Sequence, residues 1–325
     1  MIDSQEVSWL VDDISVNGTY TRPKSEGRFR GVVFIAGSGP TDRNWNSPII
    51  PGTNGSAALL AEVLGENGYA SIRYDKRPSG PHGMENAAQL MGKISMQSHL
   101  DELSGAVSRL LAQPEIDSAR IFALANSEGC IHAINYQLQA GAPAFAGLIL
   151  TAPPAHPVGE VARDQIANLL QPVPDRDSIL KAYDLVMDDF RAGRPVTIDD
   201  GLPDTVKVLL QAVTTPQNQP FSRELWDLDP AARLKKITAP VLIVIGKKDI
   251  QVNWQTEGAV LEKIAASNDN LSIAFPENAN HVLKFEPKPL QELNPAEVLT
   301  TYNADTASLD PEVIQIILSW LEKQK

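Results

Sequence analysis

Short, continuous apolar runs recur along this chain, each separated from the next by a stretch with other spacing. They are GVVFIAG (31–37), YASIRYD (69–75), ARIFALAN (119–126), FAGLILTA (145–152) and APVLIVIG (239–246). A strand with one wet face alternates apolar and polar residues. These runs barely alternate, which suits strands of a parallel sheet covered on both faces. Between them, GSAALLAEVLGENG and SMQSHLDELSGAVSRLLAQP carry apolar residues three and four apart, and the second ends before Pro114. Strand alternating with helix predicts an α/β fold, with a mostly parallel central sheet flanked by helices. The opening residues, through ISVNGTYTRP, predict an antiparallel hairpin at the sheet edge, with Asn17–Gly18 as its turn.

The alternation lapses after TAPPAHPVGE and resumes at LKKITAPVLIVIG. The interval from 155 to 236 is helix-prone, broken by prolines and rich in charge. Its segments IANLL, VKVLLQAV and LWDL supply apolar faces that a disordered linker would lack. The expected organisation is therefore an α/β core of residues 1–154 and 237–325, with a helical cap inserted at 155–236 over one end of the sheet.

Composition narrows the function classes. At 325 residues, 43% hydrophobic and 21% charged, the chain can bury a substantial core. It has no run approaching the roughly 20 apolar residues of a membrane span, so an integral membrane protein is excluded. A net charge of −12 argues against nucleic acid as a partner, because that affinity rests on Lys and Arg neutralising phosphates. Cys130 is the only cysteine, which rules out an intrachain disulfide and a zinc–thiolate cluster. That usage fits a reducing cytoplasm, and the first residues lack the basic start and apolar run of a secretory signal.

The segment ALANSEGCIHA leaves an apolar strand and enters a helical pattern at Ser127. A serine hydroxyl is a poor nucleophile unless a base lies within hydrogen-bond reach and donors await the oxyanion. A sharp strand-to-helix turn provides both, and the positions two before and two after the serine must be small. Here they are Ala125 and Gly129. By itself this pattern does not separate a nucleophile from a helix cap, since Ser and Asn are also favoured caps.

The rest of the chain weighs on that choice. An elbow serine of this type is followed by Asp or Glu and then His. Among five histidines only His281, in the loop FPENANHVLKFE after the strand-like NLSIAF, lies late in the chain. His99 and His132 fall within helical patterns and read as structural; His82 lies in a Pro/Gly loop, and His156 flanks the start of the insertion. Asp249 stands just beyond the run APVLIVIG, where its carboxylate can accept the imidazole Nδ1–H and fix the tautomer. An Asp capping the next turn is the competing reading. The loop IAGSGPTDRNWN leaves a strand at the same edge. We assign one oxyanion donor to the backbone of Ser38 and the other to that of Glu128. A phosphate-binding loop is disfavoured, because GSGPTD matches neither nucleotide fingerprint and Pro40 removes a donor.

Taken together, AGSGPTDRN, IRYDKRPSG, ANSEG, VLIVIGKKDIQV and NANHVLK, in that order over about residues 31 to 285, resemble the α/β-hydrolase superfamily. Within it the resemblance is to bacterial serine esterases and dienelactone-hydrolase-like proteins. It implies Ser127 as nucleophile, Asp249 as acid and His281 as base, with Asp75 and Arg77 bracing the site. Two positions depart from the pattern: Ala36 stands where such families often carry His, and Ala125 replaces the first elbow glycine. The implied reaction is hydrolysis of a small-molecule carboxylic ester of small to medium acyl chain, and it calls for no metal or organic cofactor. A serine at the elbow argues against the dehalogenases and epoxide hydrolases of this fold, which use Asp. Peptidase or amidase, lactone hydrolase and a non-catalytic binding protein are the rival readings. Phe221 and Trp226 in the insertion either line an acyl pocket or pack in a core. The insertion's apolar residues either roof that pocket or meet a second subunit in a homodimer.

Overall fold

The computed structural model describes residues 1–170 and 173–324; Gln171 and Pro172, inside the expected cap, lie outside the described residues. Its strands are β1 (Ile2–Val11), β2 (Ile14–Pro23), β3 (Phe29–Ile35), β4 (Tyr69–Tyr74), β5 (Ile116–Asn126), β6 (Gly147–Thr151), β7 (Val241–Val244) and β8 (Leu271–Ala274). They form one eight-stranded sheet in the order β1-β2-β4-β3-β5-β6-β7-β8. Pairing is antiparallel from β1 to β2 and from β2 to β4, and parallel from β4 onward. The apolar runs thus become the parallel strands, as their lack of alternation predicts.

The core helices are α1 (Ser56–Glu66), α2 (Gly83–Leu90), α3 (Met96–Leu111) and α4 (Glu128–Gln137). Between β6 and β7 come α5 (Val158–Leu169), α6 (Arg176–Arg191), α7 (Asp204–Thr214), α8 (Phe221–Trp226) and α9 (Pro230–Leu234). After β7 follow α10 (Thr256–Ala265), α11 (Pro295–Thr301) and α12 (Pro311–Lys323). Successive strand side chains point to opposite faces, and both faces are covered. Val33, Ile35, Ala123, Leu148 and Ile243 pack with α3, α4 and α10. Val32, Phe34, Leu124, Ile149 and Leu242 pack with α1 and α12 on the other side. Helices α5 to α8 hold a separate apolar cluster that includes Ile166, Tyr183, Phe190, Leu210 and Trp226.

The hairpin differs from expectation at its turn. Asp12 and Asp13, at φ of 49° and 63°, make the connection, while Asn17 and Gly18 lie within β2 opposite Ser8 and Val7. A two-residue turn of this hand needs positive φ at both positions, which Asp tolerates better than most residues. Gly18 answers a different need: a Cβ there would sit 2.6 Å from the carbonyl oxygen of Arg73 in the neighbouring β4.

Strands β3 and β5 are neighbours, with Ile35 beside Ala125. The chain after β3 leads to α1 on one face, and the chain after β5 leads to α4 on the other. Their carboxyl ends therefore diverge, at the kind of switch point where open α/β sheets bind ligands.

Candidate active site

Ser127 joins β5 to α4 at φ 55° and ψ −125°, a conformation that costs a non-glycine residue roughly 1–3 kcal/mol. Hydrogen bonds on both sides hold it there: Ser127 N donates to Thr151 O at 2.9 Å, and Cys130 N donates to Ser127 O at 3.0 Å. The turn is packed so closely that a Cβ on Gly129 would lie 2.5 Å from Ile35 O and 2.6 Å from Ala36 O. The first small position has more room, because Ala125 fits there fully buried. The Ser127 side chain makes no capping hydrogen bond to α4. A cap role for the hydroxyl is thus not what this turn uses.

His281 and Asp249 meet as the sequence order suggests. His281 Nδ1 lies 2.8 Å from Asp249 Oδ2, and both side chains are buried. The other carboxylate oxygen, Oδ1, accepts from Gln251 N at 2.8 Å and Val252 N at 2.9 Å. Asp249 therefore caps its own turn and holds the imidazole with different oxygens, so the two readings of this residue coexist. With Nδ1 donating to Asp249, Nε2 carries the free lone pair of a base. No hydrogen bond links Ser127 to His281 among the described residues.

The loop after β3 lies against the elbow: a Cβ on Gly37 would meet Ser127 Cβ and Asn126 O, each at 3.2 Å. Ser38 follows in that loop, its carbonyl accepting from Thr41 Oγ1 at 2.7 Å. Glu128 is the first residue of α4, and the leading N–H groups of a helix have no intrahelical acceptor. Those N–H groups also sit at the positive end of the helix dipole, where negative charge is favoured.

Two further residues reach the elbow and its neighbouring loops only through the fold. Asn126 Nδ2 donates to His281 O and to Thr151 Oγ1, each at 3.1 Å. Lys76, buried after β4, donates to Gly37 O at 2.5 Å and lies 3.8 Å from Glu128 Oε1. From the residues alone Asn126 is a favoured helix cap, and Lys76 is one charge among several between Asp75 and Arg77.

Those flanking residues pair with side chains other than Ser127. Asp75 receives Arg43 through Nε and Nη2 at 3.1 and 2.8 Å, while Arg77 Nε donates to Glu102 Oε1 at 2.8 Å. The helical histidines pack together, with ring centres 4.7 Å apart; His132 Nε2 faces Glu128 Oε1 at 3.3 Å and His99 Nδ1 faces Glu102 Oε2 at 3.6 Å. Burial and the neighbouring His99 and Lys76 keep the His132 pKa below its ordinary value despite Glu128. Phe221 meets His99 edge to face and stacks on His132, and Trp226 joins the apolar cluster of α5 to α8. His156 Nδ1 pairs with Glu257 Oε1 at 2.8 Å where the chain enters the insertion.

Among the described residues, no group of three or more His, Cys, Asp or Glu could hold a metal ion, and no helix is long and apolar enough to cross a membrane.

Comparison with known proteins gives the same picture of the fold. Esterase EstD of Thermotoga maritima is 24% identical over 96% of this chain and 67% of its own length. The esterase Pf2001 of Pyrococcus furiosus superposes with a TM-score of 0.58 at 15% identity, over 99% of this chain and 93% of that one. An acylaminoacyl peptidase of Pyrococcus horikoshii superposes with a TM-score of 0.56 at 14% identity; 99% of this chain is covered, but it spans only 42% of the peptidase. At such identities the solved structures speak to fold alone. Residues 32–296 match the alpha/beta hydrolase family, most of the chain including every parallel strand from β4 to β8, and the protein belongs to that family.

Proposed function

We propose that this protein hydrolyses carboxylic esters of small to medium acyl chain through an acyl-enzyme formed on Ser127. The observation that carries the reading is the 2.8 Å contact of His281 Nδ1 with Asp249 Oδ2, in a loop bonded to Asn126, the neighbour of a serine held at φ 55°. His281 Nε2 takes the hydroxyl proton as Ser127 Oγ bonds to the ester carbonyl carbon. The carbonyl oxygen becomes an oxyanion between the N–H groups of Ser38 and Glu128. When the C–O bond to the alcohol breaks, the imidazolium returns its proton to the leaving oxygen. Water then attacks the acyl-enzyme by the same route, releasing the acid and restoring the serine. Asp249 steadies the imidazolium without taking its proton.

The name of the Thermotoga maritima relative, an esterase, supports the ester class. Helices α5 to α9 are read as a cap over one end of the sheet. The substrate is a small molecule rather than a nucleic acid, in keeping with the net charge of −12, and the lone Cys130 suits a cytoplasmic setting.

A panel of p-nitrophenyl esters, anilides and lactones tests the proposal with wild type and Ser127→Ala. Expected are turnover of acetate and butyrate esters, loss of that turnover in Ser127→Ala, and a fluorophosphonate adduct on Ser127. Anilides turned over faster than esters would replace esterase by amidase. Undiminished activity in Ser127→Ala would remove the triad.

A further inference from the structure

Lys76 is 5% exposed, and its ammonium touches both halves of the proposed oxyanion hole. Nζ donates to the carbonyl oxygen of Gly37 at 2.5 Å and lies 3.8 Å from Glu128 Oε1. The Gly37 carbonyl and the Ser38 N–H belong to one trans peptide unit, so they point in opposite directions in one plane. A cation that grips the oxygen therefore sets where the N–H points. It also draws electron density along the amide, which makes that N–H a stronger donor. The second contact reaches the side chain of Glu128, whose backbone N–H is the other donor.

We propose that Lys76 is a positioning residue for the oxyanion hole, holding the 37–38 peptide and the first residue of α4 in one arrangement so that both N–H groups converge on the substrate oxygen. The proposal rests on the ester-hydrolase reading and extends it to a residue that touches no substrate.

The surroundings explain how a lysine can serve there. Two cations, Lys76 and Arg77, face three carboxylates: Lys76 lies near Glu128 and Glu102, and Arg77 pairs with Glu102 and Asp12. Burial lowers the Lys76 pKa, and Glu128 and Glu102 work against that fall. Burial pushes Glu128 upward, but Lys76, His132 and His99 outweigh it and hold its carboxyl down to about 2. The Lys76 carbonyl is fixed in turn, accepting from Ser79 N and Ser79 Oγ at 2.8 Å each. The ammonium thus enters the site from a rigid turn and meets an ionised partner.

The test compares Lys76→Met, Lys76→Arg and Glu128→Gln on p-nitrophenyl acetate, with active sites titrated to completion by a fluorophosphonate and Tm recorded. Lys76→Met is expected to lower kcat per titrated site by about tenfold to a hundredfold, short of or equal to the loss of one full donor. KM should stay within about threefold, because the interaction matters in the transition state. Phenylboronic acid, which forms a tetrahedral adduct on the serine, should weaken by a similar factor, and Lys76→Arg should recover part of both losses. A folded Lys76→Met protein with kcat per site within about twofold of wild type overturns the proposal. So does a loss of rate fully matched by a loss of titratable sites. Where Lys76→Met does not fold, Glu128→Gln decides: it keeps the backbone N–H while loosening the partner of Lys76, and an unchanged kcat and boronate affinity there also overturn it. Ser127→Ala separates the two readings. If it retains full activity, the esterase mechanism fails; if it is inactive while Lys76→Met is fully active, only the role of Lys76 fails.

Discussion

The side-chain amide of Asn126 donates to the backbone carbonyl of His281 at 3.1 Å, across 155 positions of sequence. The same amide reaches Thr151 Oγ1, which donates to Ala125 O at 2.9 Å. One buried residue before the elbow thus ties β5, β6 and the His281 loop together. Asn126→Ala should lower kcat by about tenfold with little change in KM, since it loosens the base without touching substrate contacts. It should also cost about 1–3 kcal/mol in urea unfolding, because buried polar groups lose their partners. A kcat equal to wild type would show that the loop needs no such tie.

One oxygen of Asp249 holds its own turn and the other faces His281 Nδ1, and Asp249→Asn exploits that division. The amide oxygen can still accept from Gln251 N and Val252 N, so Tm should move little. An NH2 group facing His281 Nδ1, however, favours the wrong tautomer. The expected fall in kcat is about 10⁴-fold, the loss seen for such an exchange in a Ser-His-Asp triad. Steady-state kinetics on p-nitrophenyl acetate check this; a loss below about tenfold would mean that the contact is structural only.

The two small positions of the elbow should respond oppositely. Gly129→Ala pushes a methyl to 2.5 Å from Ile35 O and 2.6 Å from Ala36 O, backbone atoms of β3 and its exit that cannot swing aside. That variant should be insoluble or inactive. Ala125→Gly removes one buried methyl and adds strand entropy, costing about 1 kcal/mol or slightly more, with the elbow intact. Thermal melts and ester turnover of both proteins decide the matter. An active, soluble Gly129→Ala would contradict the close packing.

Much of this arrangement is legible in the residues because it is local. Runs such as VVFI and LIVI barely alternate, and they become strands covered on both faces. Ser127, Asp249 and His281 lie in order at strand ends, and the structure brings Asp249 and His281 together. What escapes is whatever depends on a neighbouring strand. Asn17–Gly18 has the composition of a turn, yet its glycine makes room for the Arg73 carbonyl on β4, and the real turn is Asp12–Asp13. In sequence, Lys76 resembles any charge in a polar loop. Only the fold brings Gly37 and Glu128 to its ammonium, and only pairing makes its burial tolerable.

The join between core and insertion should respond to pH through His156. Its ring pairs with Glu257 Oε1, while Glu257 Oε2 accepts from Ala155 N at 2.6 Å and His156 N at 3.0 Å. Burial pulls the His156 pKa down, but Glu257, aided by Glu160 and Asp164, more than reverses this and raises it above 6.5. A group whose pKa is raised on folding stabilises the fold fully below its unfolded pKa. That contribution is lost as pH rises through the higher folded value. The side chain is 39% exposed, so solvent screens the pair and its worth stays below about 1 kcal/mol. His156→Gln removes the charge and leaves both backbone contacts of Glu257. The difference in Tm between wild type and variant should therefore be largest near about pH 5.5 and shrink toward about pH 8.5. Added salt should flatten it. A difference independent of pH across that window would mean that the imidazole contributes only as a neutral hydrogen-bonding group.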